Sequence, residues 1–141
     1  MTTATNEYPT KAYGATAPDS GVGPMEIIRR GLRGDDVLIE ISHCGICHSD
    51  LHSARNDWGF TKYPIVPGHE IVGIVSAVGD DVTRHNVGDR VAIGCMVDSC
   101  LECSHCEGDL EQYCLDGGMT GTYNGTDRRD GTPTYGLSLI H

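Results

Sequence analysis

Four cysteines crowd into one short stretch of the chain. Cys100, Cys103, Cys106 and Cys114 stand in the spacing C-x2-C-x2-C-x7-C. Three closely spaced thiolates and a fourth returning from a short loop can close a tetrahedral cage around zinc, with no open position left. Such a cage is structural: it staples a lobe that has too little apolar surface to fold alone. An iron–sulfur run begins the same way but continues C-x3-C-P. Here the fourth cysteine comes later, and Leu115 rather than proline follows it, so zinc is favoured. His105 lies inside the loop of a shell already filled by sulfur, and is expected to be exposed.

The rest of the composition fits a small mostly β domain. The chain has 141 residues, 38% hydrophobic, with 19 glycines and only 6% aromatics. Gly-rich, turn-rich sequence with scattered Val and Ile runs suggests strands and loops rather than helices. Twenty acidic residues against ten Lys and Arg give a net charge of -10. That argues against a nucleic-acid partner and against docking on an anionic membrane. The N-terminus has no basic segment followed by an apolar one, and no apolar run is long enough to span a bilayer. A cytoplasmic location is therefore expected, where seven cysteines read as ligands or catalytic groups before disulfides.

Along the chain, "KAYGATA" and "MEIIRR" are short strand candidates separated by a turn-rich segment. "DDVLIEIS" alternates, with Val37, Ile39 and Ile41 on one face. Ser49 to Arg55 is a candidate short helix. Ile71 to Val78 is almost continuously apolar and predicts a strand buried on both faces. "VGDRVAIG" enters another strand. Beyond Cys114 the pattern is loop-like. No GxGxxG follows a strand, so no dinucleotide fingerprint is present.

Two further segments carry chemistry. "HCGICHSDLH", His43 to His52, packs two cysteines and three histidines into ten residues. "GHE" places His69 and Glu70 after a Pro-Gly turn. An imidazole is a good zinc ligand, and a neighbouring carboxylate can ligate or tune the metal. Taken alone, such a pair is more often structural than a pair of ligands. Ser49, Asp50 and His52 alone read as ordinary helix-surface residues.

Together these segments resemble one family. Gly68, His69, Glu70, Gly73 and Gly79 reproduce the G-H-E-x2-G-x5-G signature of zinc-dependent medium-chain alcohol dehydrogenases. "GICHSDLH" resembles that family's first catalytic-zinc loop, "VGDRV" its turn, and the four-cysteine spacing its structural zinc loop. "NDWGFTKYPIVPGHE" with "GTYNGTDRRDGTPTYG" is most similar to the cinnamyl-alcohol-dehydrogenase-type branch, whose bacterial members include broad NADP-dependent aldehyde reductases. The resemblance runs from about Tyr13 to Gly136.

The resemblance implies a fold: a GroES-like barrel over residues 1–136, with a zinc lobe at about 95–115. It implies that Cys47 and His69 bind catalytic zinc, with Glu70 near the metal and able to occupy a position in the resting site. It gives Ser49 and His52 a proton relay, Asp50 the task of fixing the His69 tautomer, and His48 an approach to the cofactor pyrophosphate. Trp58 is a candidate wall of the substrate pocket. Cys44 and Cys95 match no ligand position and are read as buried small hydrophobes, and His43 and His85 receive no role. The expected reaction interconverts primary alcohols and aldehydes with NADP or NAD, NADP being preferred, in a protein that is a homo-oligomer when full length.

The family also uses a further downstream cysteine and a Rossmann domain, neither of which these residues contain. The chain by itself is therefore expected to be inactive. After "TPTYG" the sequence reads "LSLIH", which is also the translation of the start of a transposase adaptor used in sequencing libraries. Leu137 to His141 are accordingly read as a non-native read-through tail. Two rival readings stand beside this one. The first is a stand-alone zinc-binding or interaction module on the same scaffold. The second is a zinc reductase acting on other carbonyls, such as sugars or polyols.

Overall fold

A computed structural model describes residues 7–136; the reading of Leu137–His141 as a tail lies outside the described residues. "YPTKAYG" alternates, and β1 (Tyr8–Gly14) turns Ala12 and Gly14 inward. Its antiparallel partner β2 (Gly23–Arg29) buries Ile27. These strands begin and end a few residues earlier than the apolar runs suggest. The cause is pairing: Tyr8 meets Arg29 at one end and Gly14 meets Gly23 at the other.

The second sheet has the order β3-β4-β5, with β3 (Val37–Gly45), β4 (Glu70–Val78) and β5 (Arg90–Ile93), all antiparallel. Irregularities in β3, between Leu38 and Ile39 and between Ile41 and His43, break its strict alternation. Between β3 and β4 lies the short helix α1 (His48–Ala54). After β5 come β6 (Met96–Asp98), the helical turn α2 (Ser104–Glu107), a 3-10 turn at Glu111–Tyr113 and β7 (Thr120–Gly121), which pairs with β6.

The fold is thus mostly β. The bridge between Ala15 and Ile65 joins the end of β1 to the segment before β4, and the 2.7 Å bond from the Gly136 N–H to the Val66 carbonyl holds residue 136 to the same segment. Ala12, Ile27 and Val66 form one buried cluster. Ala15, Ala54 and Ile65 form another, flanked by Tyr63 and Tyr123.

One expectation is corrected. Strand β4 is not buried on both faces. Ile71, Gly73 and Val75 point inward, whereas Val72 and Ile74 are each 37% exposed. Its neighbours are antiparallel, and an antiparallel sheet commonly leaves one face open.

Candidate metal centres

The four-cysteine lobe is built by a tight local path. Cys103 precedes α2, Cys106 lies within it, and the 3-10 turn delivers Cys114. The ligand atoms of Cys100, Cys103, Cys106 and Cys114 all lie within 4.8 Å of one another. The sulfurs of Cys100 and Cys106 are 3.7 Å apart and those of Cys103 and Cys106 3.5 Å. That is too long for a disulfide and close to the ~3.8 Å edge of a tetrahedron with Zn–S bonds of about 2.3 Å.

Backbone amides aim at these sulfurs. The Cys103 N–H donates to Cys100 Sγ at 3.3 Å, the Cys100 N–H to Cys114 Sγ at 3.5 Å and the Leu115 N–H to Cys103 Sγ at 3.4 Å. Amide donors stabilise the thiolate over the thiol. Backbone contacts from Cys106 and Leu115 hold the Cys103 pKa down to about 6, and the Cys100 amide draws that of Cys114 down as well. The donor set therefore fits a closed thiophilic metal site. His105 is partly buried rather than exposed, because its Nδ1 lies 2.6 Å from the Tyr113 carbonyl. It braces the loop.

The second cluster unites the two other sequence segments. Cys47 caps α1, and His69 and Glu70 stand at the entry to β4. Their ligand atoms also lie within 4.8 Å of one another. Register explains the meeting: Gly45, just before the helix, pairs with Glu70. A Cβ built on Gly45 would come within 2.2 Å of Glu70 Oε2 and 3.0 Å of its Cβ, so a larger residue there would push that carboxylate aside.

Asp50 fastens the cluster. Its carboxylate is buried. One oxygen accepts the Cys47 N–H at 2.8 Å, and the other accepts the Gly68 N–H at 3.0 Å and lies 3.4 Å from His69 Nδ1. One side chain thus ties the α1 segment to the β4 segment and leaves Nε2 of His69 for a metal. A thiolate, an imidazole and a carboxylate suit zinc with a position to spare.

Ser49 Oγ lies 3.6 Å from Cys47 Sγ. His52 engages Asp57 through Nδ1 at 2.8 Å. No hydrogen bond joins Ser49 to His52 among the described residues. His52, Trp58 and Phe60 form a row of rings, with centroids 5.3 and 5.8 Å apart. Trp58 is half exposed and His48 exposed. Cys44 is only partly buried and Cys95 is exposed, correcting the expectation that both are buried. The strand irregularity before His43 and the open turn before β6 lift them out of the core.

Three participants escaped the sequence. Asp57 and Phe60 flank Trp58 in a segment whose local pattern shows no pairing. Tyr123 packs on His69, with ring centroids 5.6 Å apart, across a long stretch of chain that carries no periodic signal.

Comparison with known proteins agrees with this architecture. Residues 33–132 match the alcohol dehydrogenase GroES-like domain. The chain is 53% identical over 125 residues to NADP-dependent alcohol dehydrogenase C 1 of Mycolicibacterium smegmatis, covering 89% of this chain and 36% of that protein. It is 53% identical over 132 residues to cinnamyl alcohol dehydrogenase 2 of Rauvolfia serpentina, covering 92% and 36%. A solved cinnamyl alcohol dehydrogenase from Sorghum bicolor superposes with a TM-score of 0.89 at 38% identity, covering 94% of this chain and 38% of that one. The chain thus spans little more than a third of the length of its relatives. Fold, motif order and similarity agree: this chain belongs to the alcohol dehydrogenase GroES-like domain family, with cinnamyl alcohol dehydrogenases among its relatives.

Proposed function

We propose that residues 1–136 are the catalytic domain of a zinc-dependent, NADP-linked alcohol dehydrogenase or aldehyde reductase. The substrate class is primary alcohols and the corresponding aldehydes. The observation that carries this reading is the convergence of Cys47, His69 and Glu70 on one point, clamped by buried Asp50. NADP is favoured over NAD by the 53% identity to an NADP-dependent relative.

Zinc, when bound, polarises the alcohol or carbonyl oxygen, and the nicotinamide exchanges the hydride. This chain's residues supply the surroundings. Cys47, His69 and Glu70 hold the catalytic metal, and Cys100, Cys103, Cys106 and Cys114 hold a structural one. Asp50 fixes His69 through Nδ1. The Ser49 hydroxyl, beside Cys47 Sγ, is placed to receive or return the alcohol proton. His52 passes it to solvent, and Asp57 holds the imidazole by Nδ1. Trp58 with Phe60 lines the approach, and His48 faces the cofactor. All seven cysteines are unpaired, which supports a reducing compartment, the cytoplasm. Among the described residues no helix is long and apolar enough to cross a membrane. Homo-oligomeric assembly of the longer protein follows from the family resemblance alone.

Metal analysis tests the reading. The chain is expected to hold one zinc tightly at the four thiolates and a second, weaker one at Cys47. Cys47→Ala should remove only the second. A chain that takes up a single zinc, unaffected by Cys47→Ala, would sink the catalytic assignment. The 141 residues alone are expected to oxidise no NADPH in the presence of an aldehyde, followed at the nicotinamide absorbance. Turnover would overturn the view that the cofactor-binding part is required.

A further inference from the structure

We infer that Tyr123 is a positioning residue of the Cys47–His69–Glu70 centre, setting the orientation of the His69 imidazole and of the carboxylate that steers it. The inference rests on the reading of that centre as a metal site.

Three observations carry it. First, the Tyr123 ring packs on the His69 ring, with centroids 5.6 Å apart and planes 30° from parallel. An imidazole gripped at Nδ1 alone can still swing about that contact; an aromatic face against it removes the freedom. Second, the Tyr123 phenol stands in the electrostatic surroundings of the Ser53 and Asp50 side chains, both buried. Asp50 is the group that accepts the Cys47 and Gly68 amides and approaches His69 Nδ1. One side chain therefore packs on the metal-facing imidazole and stands near its orienting carboxylate. Third, Tyr123 is itself held. It follows β7 in sequence, and its neighbours are pinned by the bonds from Thr122 N–H to the Cys95 carbonyl and from Asn124 N–H to the Thr134 carbonyl, both 3.1 Å. Its ring also packs against the Ala15–Ala54–Ile65 cluster.

Partners of metal ligands tune affinity: losing one typically costs about 10–100-fold.

The test is titration of the whole chain with Co2+ in place of zinc, followed by visible absorption. Four-sulfur and mixed sulfur–nitrogen–oxygen sites give different bands, and Cys47→Ala identifies the second. In Tyr123→Leu, which removes ring and hydroxyl, the second equivalent should bind about tenfold or more weakly, with altered band positions. The first, four-sulfur equivalent should be unchanged. Tyr123→Phe keeps the ring and should recover most of that affinity, while the His69 Nδ1 proton resonance shifts because the hydroxyl near Asp50 is gone. Second-site affinity and bands unchanged in both variants would overturn the inference and leave the metal site standing. A parent chain that binds only the four-sulfur equivalent would overturn both. If Tyr123→Leu also loses the first equivalent, Tyr123→Phe decides. A shifted Nδ1 resonance with a weakened second site supports the role, and an unshifted one with an unchanged site refutes it.

Discussion

The glycines of the G-H-E-x2-G-x5-G string are required by space as much as by backbone angle. Gly68 has φ +115, a conformation side chains rarely adopt. A Cβ on Gly73 would lie 2.4 Å from the Glu40 carbonyl oxygen, and one on Gly79 would lie 2.1 and 2.2 Å from the Arg33 and Gly34 carbonyl oxygens. Backbone oxygens on neighbouring segments cannot step aside cheaply. Gly79→Ala is therefore expected to destabilise the chain by about 3 kcal/mol, read from the urea midpoint at unchanged slope. Asp50 is the other demanding residue. Asp50→Ala leaves the Cys47 and Gly68 amides without their acceptor and should cost about 2–4 kcal/mol. It should also weaken metal binding at Cys47 while sparing the four-thiolate site. An Asp50→Ala chain with parental stability would show that water replaces the carboxylate.

At the scale of elements, the loop "TDRRDGT" shows how an aperiodic segment can be ordered. Arg33 pairs with Asp127 at 2.9 Å and also with Asp130, while Arg129 pairs with Asp35. These pairs fasten the loop to the turn between β2 and β3. Burial alone would raise the Asp127 pKa, but the Arg129 amide and the Arg33 guanidinium more than offset it, and the net direction is down. Hydrogen bonds from Thr132 lower Asp130, and Arg129 brings Asp35 to about 2 from 3.8. Groups with depressed folded-state pKa values stabilise above their unfolded value and lose that contribution as pH falls through the folded one. The melting temperature should therefore fall as pH drops from 3.8 towards 2, and Arg33→Ala should flatten that limb. Salt should weaken the exposed Asp35–Arg129 part more than the Asp127 part. The four-thiolate lobe makes a second element-scale prediction. A strong chelator should release the amides of the lobe and of the β6–β7 pair to hydrogen exchange. Those of β3 and β4 should remain protected, since that sheet is held by its own ladder and core.

Across the whole molecule, the open face of β4 gives a direct contrast. If Ile74 were buried on both sides, as its apolar run suggests, Ile74→Thr would cost about 2 kcal/mol or more. With the residue 37% exposed in this chain, the cost should stay under about 1 kcal/mol, measured by chemical denaturation. Much of the protein was legible before its structure. The β character, the helix at Ser49 and the thiolate lobe follow from local spacing, because a helical turn, a strand alternation and a cysteine cage are short-range geometries. The Cys47 and His69 segments read as ligand segments only through the family resemblance, which is legible because its motifs are contiguous strings. What local spacing could not supply is contact between segments far apart in sequence. The order of residues limits which side chains are available as ligands, proton carriers and turn formers. It takes the assembled fold to set Glu70 beside Gly45, to let Asp50 tie the Cys47 segment to the Gly68 segment, to bring Asp57 to His52, and to lay Tyr123 on His69. Strand register and loop closure set these contacts, and both are properties of the assembled chain rather than of any stretch within it.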